Sequence, residues 1–300
     1  MDSLNSLSIL MQTLVGGIGI GSLYALVALG YSMIYRSMGL VNFAHGSIYM
    51  IGTYFGIIWY RGMVMGLQVP YPIAFVIGIL LTAILGLILE RIFRPLAHLD
   101  LMLMLLGTIG LGYVLDNLAV IIWGAEGFAV NSPLPNEPII IGGVALLPQM
   151  LLLISVSALL MVGLNVFLAK AKIGKAMRAA AQDRETASAM GIPVNTTNAL
   201  VFAIGAGLAA AAGILAAPIV YVNPAMSAAV GLKGFAAFIL GGAGSIPGAI
   251  VGGLVFGVLE AISAGFISSA YTKGIAFVVM ILVLMIKPAG IVGEVTVDKV

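Results

Sequence analysis

The chain contains no cysteine in 300 residues. That rules out disulfides, thiolate metal sites and sulfur redox chemistry, and leaves the compartment open. Charge is nearly missing too: 8% of residues are charged, against about 25% in an average soluble domain. The formal net charge is +2, so no nucleic-acid-binding surface is indicated. Histidine is reduced to His45 and His98, a whole helix pair apart, which makes neither a two-histidine metal site nor a Ser-His-Asp arrangement. The single Gly-Lys pair, Gly174-Lys175, is followed by Ala176, so no Walker A phosphate cradle exists. HExxH and GxSxG are also absent, and Gly244-Ser245 runs on into Ile246-Pro247, which spoils a nucleophile elbow. Neither catalysis nor Walker-type ATP binding is expected of this chain.

What is present is apolar. Hydrophobic residues make up 62% of the sequence and mean hydropathy is +1.19, as in an integral membrane protein. The apolar runs are about twenty residues long and continuous, unlike the alternating strands of a lipid-facing barrel, so helices are expected. The fold class is all-α: a polytopic transmembrane helix bundle, one domain over 1–300. The first run has no basic residue ahead of it and reads as a retained helix, not a cleaved signal.

Spans are expected at 8–30, 40–60, 71–90, 101–123, 148–169, 195–221, 228–244, 248–267 and 274–290. Arg36, Arg91, Arg94, Lys170, Lys172, Lys175, Arg178, Arg184, Lys287 and Lys299 then share one side, and Arg61, Lys233 and Lys273 the other. That asymmetry puts the N-terminus outside and the C-terminus inside. Should 228–267 form a re-entrant segment plus one span, the count is eight and the tail is outside. The loop 124–147 has Glu126, Glu137, three prolines and no basic residue, as suits a semi-rigid external connection.

Small residues recur at helix-packing intervals: Gly17, Gly21 and Ala25; Gly205, Ala209 and Gly213; Gly248 and Gly252, with Gly253 and Gly257 offset. They let backbones approach closely, or line a substrate path. No short-period repeat is detected. Polar groups inside spans need partners or water. Asn42, His45 and Ser47, in GLVNFAHGSIYM, make either an interhelical hydrogen-bond cluster or a polar notch in a transport path. Asp116 with Asn117, and Glu260, are expected toward the outer third, hydrogen-bonded or partly solvated.

Two segments break the apolar pattern. Gly241, Gly242, Gly244, Ser245, Pro247 and Gly248 cannot continue a regular helix, so the chain breaks near 241–248, either at membrane depth beside substrate or as a tight cytoplasmic turn. The other, KAMRAAAQDRETASAMG, is strongly hydrophilic. Gly174 opens it, Gly191-Ile192-Pro193 closes it, and its Ala-rich interior predicts one short helix lying on the membrane surface, docked to a soluble partner or to lipid headgroups.

Glu185-Thr186-Ala187-Ser188-Ala189-Met190-Gly191 resembles the E-A-A-x3-G loop of ABC importer permeases. GKAMRAAAQDRETASAMGI is similar to its form in branched-chain amino-acid permeases, and VNFAHGSIYMIGTY and GLKGFAAFILGGAGSIPGAIVGGLVFGVLEA resemble the H-type (LivH-like) subunit. Thr186 replaces the second Ala of the motif, and no I-x-L-P tail follows.

The resemblance implies a non-enzymatic permease subunit of the bacterial inner membrane. It would pair with a second, related permease (LivM-type), two cytoplasmic ABC ATPases holding ATP and Mg, and a periplasmic amino-acid-binding protein; this chain itself would bind no cofactor. Residues 174–191 would be the coupling helix, with Gly174, Lys175, Arg178, Asp183, Arg184, Glu185, Ala187 and Gly191 at the ATPase. Asn42, Phe43, His45 and Gly46, and Gly241, Gly242, Gly244 and Ser245, are the candidate path residues. A urea permease of the same family is the near alternative, and Phe43, where the urea branch has Met, favours amino acids. An ion-coupled carrier using Asp116 or Glu260 is the alternative of a different class.

Overall fold

The computed structural model describes residues 2–64, 66–95, 101–141, 143–267 and 271–293. His98 and Lys299 lie outside them. Helix α1 (Asp2–Met38) is followed by α2 (His45–Tyr60), α3 (Tyr71–Phe93) and α4 (Leu101–Trp123). A hairpin of β1 (Ile139–Ile141) and β2 (Val144–Leu146) precedes α5 (Pro148–Lys170). Two short helices, α6 (Lys172–Gln182) and α7 (Arg184–Ala189), lead to α8 (Val194–Ala216), α9 (Met226–Gly241), α10 (Ile246–Ile262) with a π turn to Ile267, and α11 (Thr272–Ile286). The all-α bundle is as expected. Among the described residues, six helices are long and apolar enough to cross a membrane: α1, α3, α4, α5, α8 and α10.

Helices α2 and α9 are 16 residues each, about 24 Å at 1.5 Å per residue and short of an apolar core of about 30 Å. Each starts after a non-helical return of the chain, Gly39–Ala44 in one case and Ala217–Ala225 in the other. Val41-Asn42-Phe43-Ala44 and Val222-Asn223-Pro224-Ala225 form the two leads, and Ala44 and Ala225 cap the helices with matching angles (φ −71°, ψ −5° and φ −69°, ψ −11°).

The match extends to the packing. Helix α1 runs antiparallel to α10, with Gly17, Gly21 and Gly253 against Val258, Leu254 and Ala25; α3 packs on α8 through Gly86 against Phe202 and Ala206. Helices α1 and α8 meet at Gly30 and Gly205, and α2 and α9 at Gly46 and Gly231. Thus α1–α3 and α8–α10 are related as two inverted copies. Of the small-residue rows, Gly17, Gly21, Gly253 and Gly257 lie at the α1–α10 contact, Gly205 at α1–α8, Gly213 against α2, and Gly248 and Gly252 against α9, where small residues replace the hydrophobic drive that lipid does not supply.

The loop 124–147 is more structured than its composition suggested. Besides the hairpin, Phe128 N–H donates to Val222 O at 2.9 Å and Val222 N–H to Phe128 O at 3.1 Å. At the opposite end, the glycine break is a tight turn. Gly242 (φ +113°) and Gly244 (φ +80°) adopt angles that favour glycine, and the Ser245 hydroxyl caps α10 by accepting from Gly248 N–H at 3.1 Å. Leu240 O and Gly241 O accept from Ile291 and Val292 N–H at 2.9 and 3.0 Å. These two carbonyls are therefore engaged by the chain itself.

Candidate functional site

The starts of α2 and α9 border a cavity of about 260 Å³, walled also by α4. Phe43, Gly46 and Ser47 line it from α2 and its lead, Asp116 and Gly112 from α4, Ser227 and Gly231 from α9. Ser47 Oγ donates to Gly112 O at 3.3 Å and Ser227 Oγ to Asp116 Oδ2 at 3.0 Å. Asp116 Oδ1 is buried with no hydrogen-bond partner among the described residues. Asp116 thus sits beside the starts of α2 and α9.

The predicted path residues divide. Phe43 is 41% exposed at the cavity mouth and Gly46 lies on its wall. Asn42 and His45 are buried behind them. Asn42 Oδ1 accepts from Ala44 N–H at 3.1 Å, fixing the start of α2, and the His45 ring lies 4.7 Å from that of Tyr31, over Gly30, where any Cβ would overlap it. Neither residue lines the cavity. Gly241, Gly242, Gly244 and Ser245 sit in the turn beside Tyr35 and Arg36, so the structure does not bring the two predicted groups together.

Lys233 was expected on the outer surface and is instead inside the bundle. Its ammonium pairs with Glu260 Oε1 and donates to Tyr24 OH at 2.9 Å, while Tyr24 OH donates to Glu260 Oε2 at 2.7 Å. Both ionic side chains are about 15% exposed. One lone lysine and one lone glutamate in adjacent expected spans were the available signal, since an intramembrane charge needs a partner.

The hydrophilic stretch is two helices, not one. Gly174, Met177 and Ala180 bury one face of α6, with Gly174 packed on Phe167 and Leu168 of α5; Lys175 and Arg178 are exposed. Asp183 breaks the helix and caps α7, its Oδ1 accepting from Thr186 N–H at 3.0 Å. The Thr186 hydroxyl and N–H hold the Asp183 carboxyl below the usual carboxylate range. Ala187 is buried against the bundle, Glu185 is exposed, and Gly191 (φ +83°) ends the element. Arg184 donates from Nε to Ser37 O at 3.1 Å, so this cation is tied to α1. Arg178 donates to Ala169 O at 3.4 Å.

The bundle thus combines a mainly apolar cavity at the starts of α2 and α9, bordered by the polar Ser47, Asp116 and Ser227, with one exposed amphipathic element, α6, and no metal cluster among the described residues. The chain matches the family described as "Branched-chain amino acid transport system / permease component" over residues 13–284. It belongs to that family. It is 38% identical over 300 residues to the high-affinity branched-chain amino acid transport system permease protein BraD of Pseudomonas aeruginosa, covering 97% of this chain and 98% of that one. It is 36% identical to LivH of Escherichia coli K12, covering 97% of each, and 30% identical to a probable LivH of Methanocaldococcus jannaschii, covering 93% and 91%. Family membership, with six helices of spanning length, makes the chain a multi-pass inner-membrane transport permease and not an enzyme.

Proposed function

We propose that this permease is one membrane subunit of an ATP-driven importer of branched-chain or other neutral amino acids. It works with a LivM-type second permease, two cytoplasmic ATPases that carry ATP and Mg, and a periplasmic amino-acid-binding protein. The observation that carries the reading is the pairing of near-full-length similarity to branched-chain amino acid permeases with an exposed α6–α7 element tied to α1 through Arg184.

In this reading the chain is one transmembrane permease domain that crosses the membrane nine times: six long helices, α11, and α2 and α9 as half-helices completed by their leads. The N-terminus is outside and the C-terminus inside. Supporting this, Gly244 lies beside Arg36 and Gly290 against Gly242, on the same end as Arg184 and Ser37. Exposed Lys175, Arg178, Asp183 and Glu185 are the ATPase-facing groups, while Gly174, Ala187 and Gly191 shape the element that presents them. ATPase closure pushes α6–α7, and the push passes into α1 and α8. Substrate moves past the α2 and α9 starts, since interrupted helices at the meeting of inverted repeats are where transporters hold polar cargo. Phe43, Gly46, Asp116 and Ser227 line that passage.

The reading is tested by reconstituting the five-protein importer in liposomes and measuring uptake of leucine and of urea with and without ATP. Uptake of leucine only with ATP is expected. Leucine uptake by the permease alone would instead support an ion-coupled carrier, and uptake of urea in place of leucine the related amide permease.

A further inference from the structure

The Lys233–Glu260 pair stands beside a second cavity, about 340 Å³, between α1, α2 and α9 on the side away from α6 and α7. That volume lies at the small end of ligand sites. Ile20, Leu23, Met226 and Val230 supply apolar walls, and Lys233, Tyr24 and Tyr49 also line it. The Tyr49 hydroxyl is fully buried and has no hydrogen-bond partner among the described residues. Over the mouth, the Tyr221 hydroxyl donates to Gly127 O at 2.5 Å, linking the lead of α9 to the loop before the hairpin.

Resting on the amino-acid reading above, we propose that this cavity is a zwitterion subsite of the import path. Lys233 receives the substrate carboxylate, Glu260, which stands behind Lys233 and Tyr24, receives its ammonium together with the Tyr24 hydroxyl, and the aliphatic side chain lies along Ile20, Leu23, Met226 and Val230.

Charge balance singles out this ligand class. An uncompensated charge inside a bundle is costly, so the site must be neutral both empty and filled. Empty, Lys233 and Glu260 cancel. An α-amino acid adds one charge of each sign, so inserting it between them turns one ion pair into two. A carboxylate lacking the ammonium leaves Glu260 unpaired, and an amine lacking the carboxylate leaves Lys233 unpaired. Urea has no charge to exchange. Lys233 and Tyr24, two of the three members of the ion-pair cluster, themselves line the cavity, so a ligand there meets the pair directly.

The test uses the reconstituted importer with wild-type permease and the K233M/E260Q variant, which keeps the interior neutral. The variant is expected to assemble and to keep ATPase stimulation by loaded binding protein, while leucine uptake falls about ten- to hundredfold, the scale of lost charge-assisted hydrogen bonds. A second measurement needs no variant: millimolar leucine should raise the melting temperature of the purified wild-type complex without binding protein, and 4-methylpentanoate and 3-methylbutylamine should not. Wild-type uptake by the double variant, or equal stabilisation by the singly charged analogues, overturns the subsite alone. A wild-type complex that moves urea and not leucine overturns the amino-acid reading and the subsite with it.

Discussion

Arg184 closes its guanidinium on the main-chain carbonyl of Ser37, in the last turn of α1. Nε donates at 3.1 Å and Nη2 reaches the same oxygen, while the Ser37 hydroxyl donates to Asn198 Oδ1 of α8 at 2.6 Å. A cation at a helix C-terminus also complements the helix dipole. The six-residue helix α7 therefore grips the end of α1, which is bonded in turn to α8.

Removing that grip should uncouple the importer. Arg184→Ala is expected to lower leucine uptake per ATP hydrolysed by about tenfold, as one charge-assisted contact is lost, with ATP hydrolysis itself retained. Arg178→Ala, which loses a contact of 3.4 Å on the exposed face, should change the ratio less. The check is the ratio of transport to phosphate release in liposomes. An unchanged ratio in Arg184→Ala places transmission elsewhere.

Where α2 and α9 cross, Gly46 and Gly231 leave no room for a side chain. A Cβ on Gly46 would stand 2.8 Å from Gly231 Cα and overlap Ser227 O, and one on Gly231 would stand 2.9 Å from Gly46 Cα. These neighbours are backbone and cannot swing aside. Gly46→Ala should thus cost about 1–3 kcal/mol in overpacking, read as a lower melting temperature of the purified complex. Gly163→Ala, in α5 with nothing near the added atom, should be neutral or gain up to about 1 kcal/mol from helix propensity. Equal effects at the two sites would remove the crossing from the account.

Glu90 is 1% exposed at the end of α3 and is held by Arg94 through contacts of 2.8 and 3.1 Å. Its side chain raises the Arg94 guanidinium pKa. Because a stranded buried carboxylate is worse than none, Arg94→Met should lower the melting temperature more than the double change Arg94→Met with Glu90→Gln. A double-mutant cycle on the purified complex measures this, and a single variant as stable as the double contradicts it.

Composition and run length made the helix bundle legible, because lipid allows few other solutions. Hydropathy did not separate helix from extended lead, so 40–60 and 228–244 read as full spans although Leu40–Phe43 lies outside α2. Lys233 read as an outer charge because its partner Glu260 comes from another helix, and only the presence of one lone charge of each sign in adjacent expected spans hinted at the pair. The inverted copies share little beyond Val-Asn-Xaa-Ala, and short periods do not reveal a repeat separated by half the chain. The break at Asp183 did carry a signal: Asp is a preferred helix cap, and Thr186 stands where a cap needs its partner. Whether Gly241–Ser245 lined a path or turned a corner depended on the segment Gly290–Val292, distant in sequence, that bonds to it.

The lack of cysteine makes the nine-crossing arrangement directly measurable. Single cysteines at Glu137, Gln182 and Pro288, all exposed positions, introduce the only thiols in the chain. With nine crossings, an impermeant maleimide added to intact cells should label Glu137→Cys alone, and permeabilised cells should expose Gln182→Cys and Pro288→Cys. Eight crossings would place the tail outside, so Pro288→Cys would label in intact cells while Gln182→Cys stayed protected. The packing of Gly290 against Gly242, at the end of the bundle that carries Arg36 and Ser37, favours the first outcome. Helix α11 must then return the chain to the face where α6 and α7 stand.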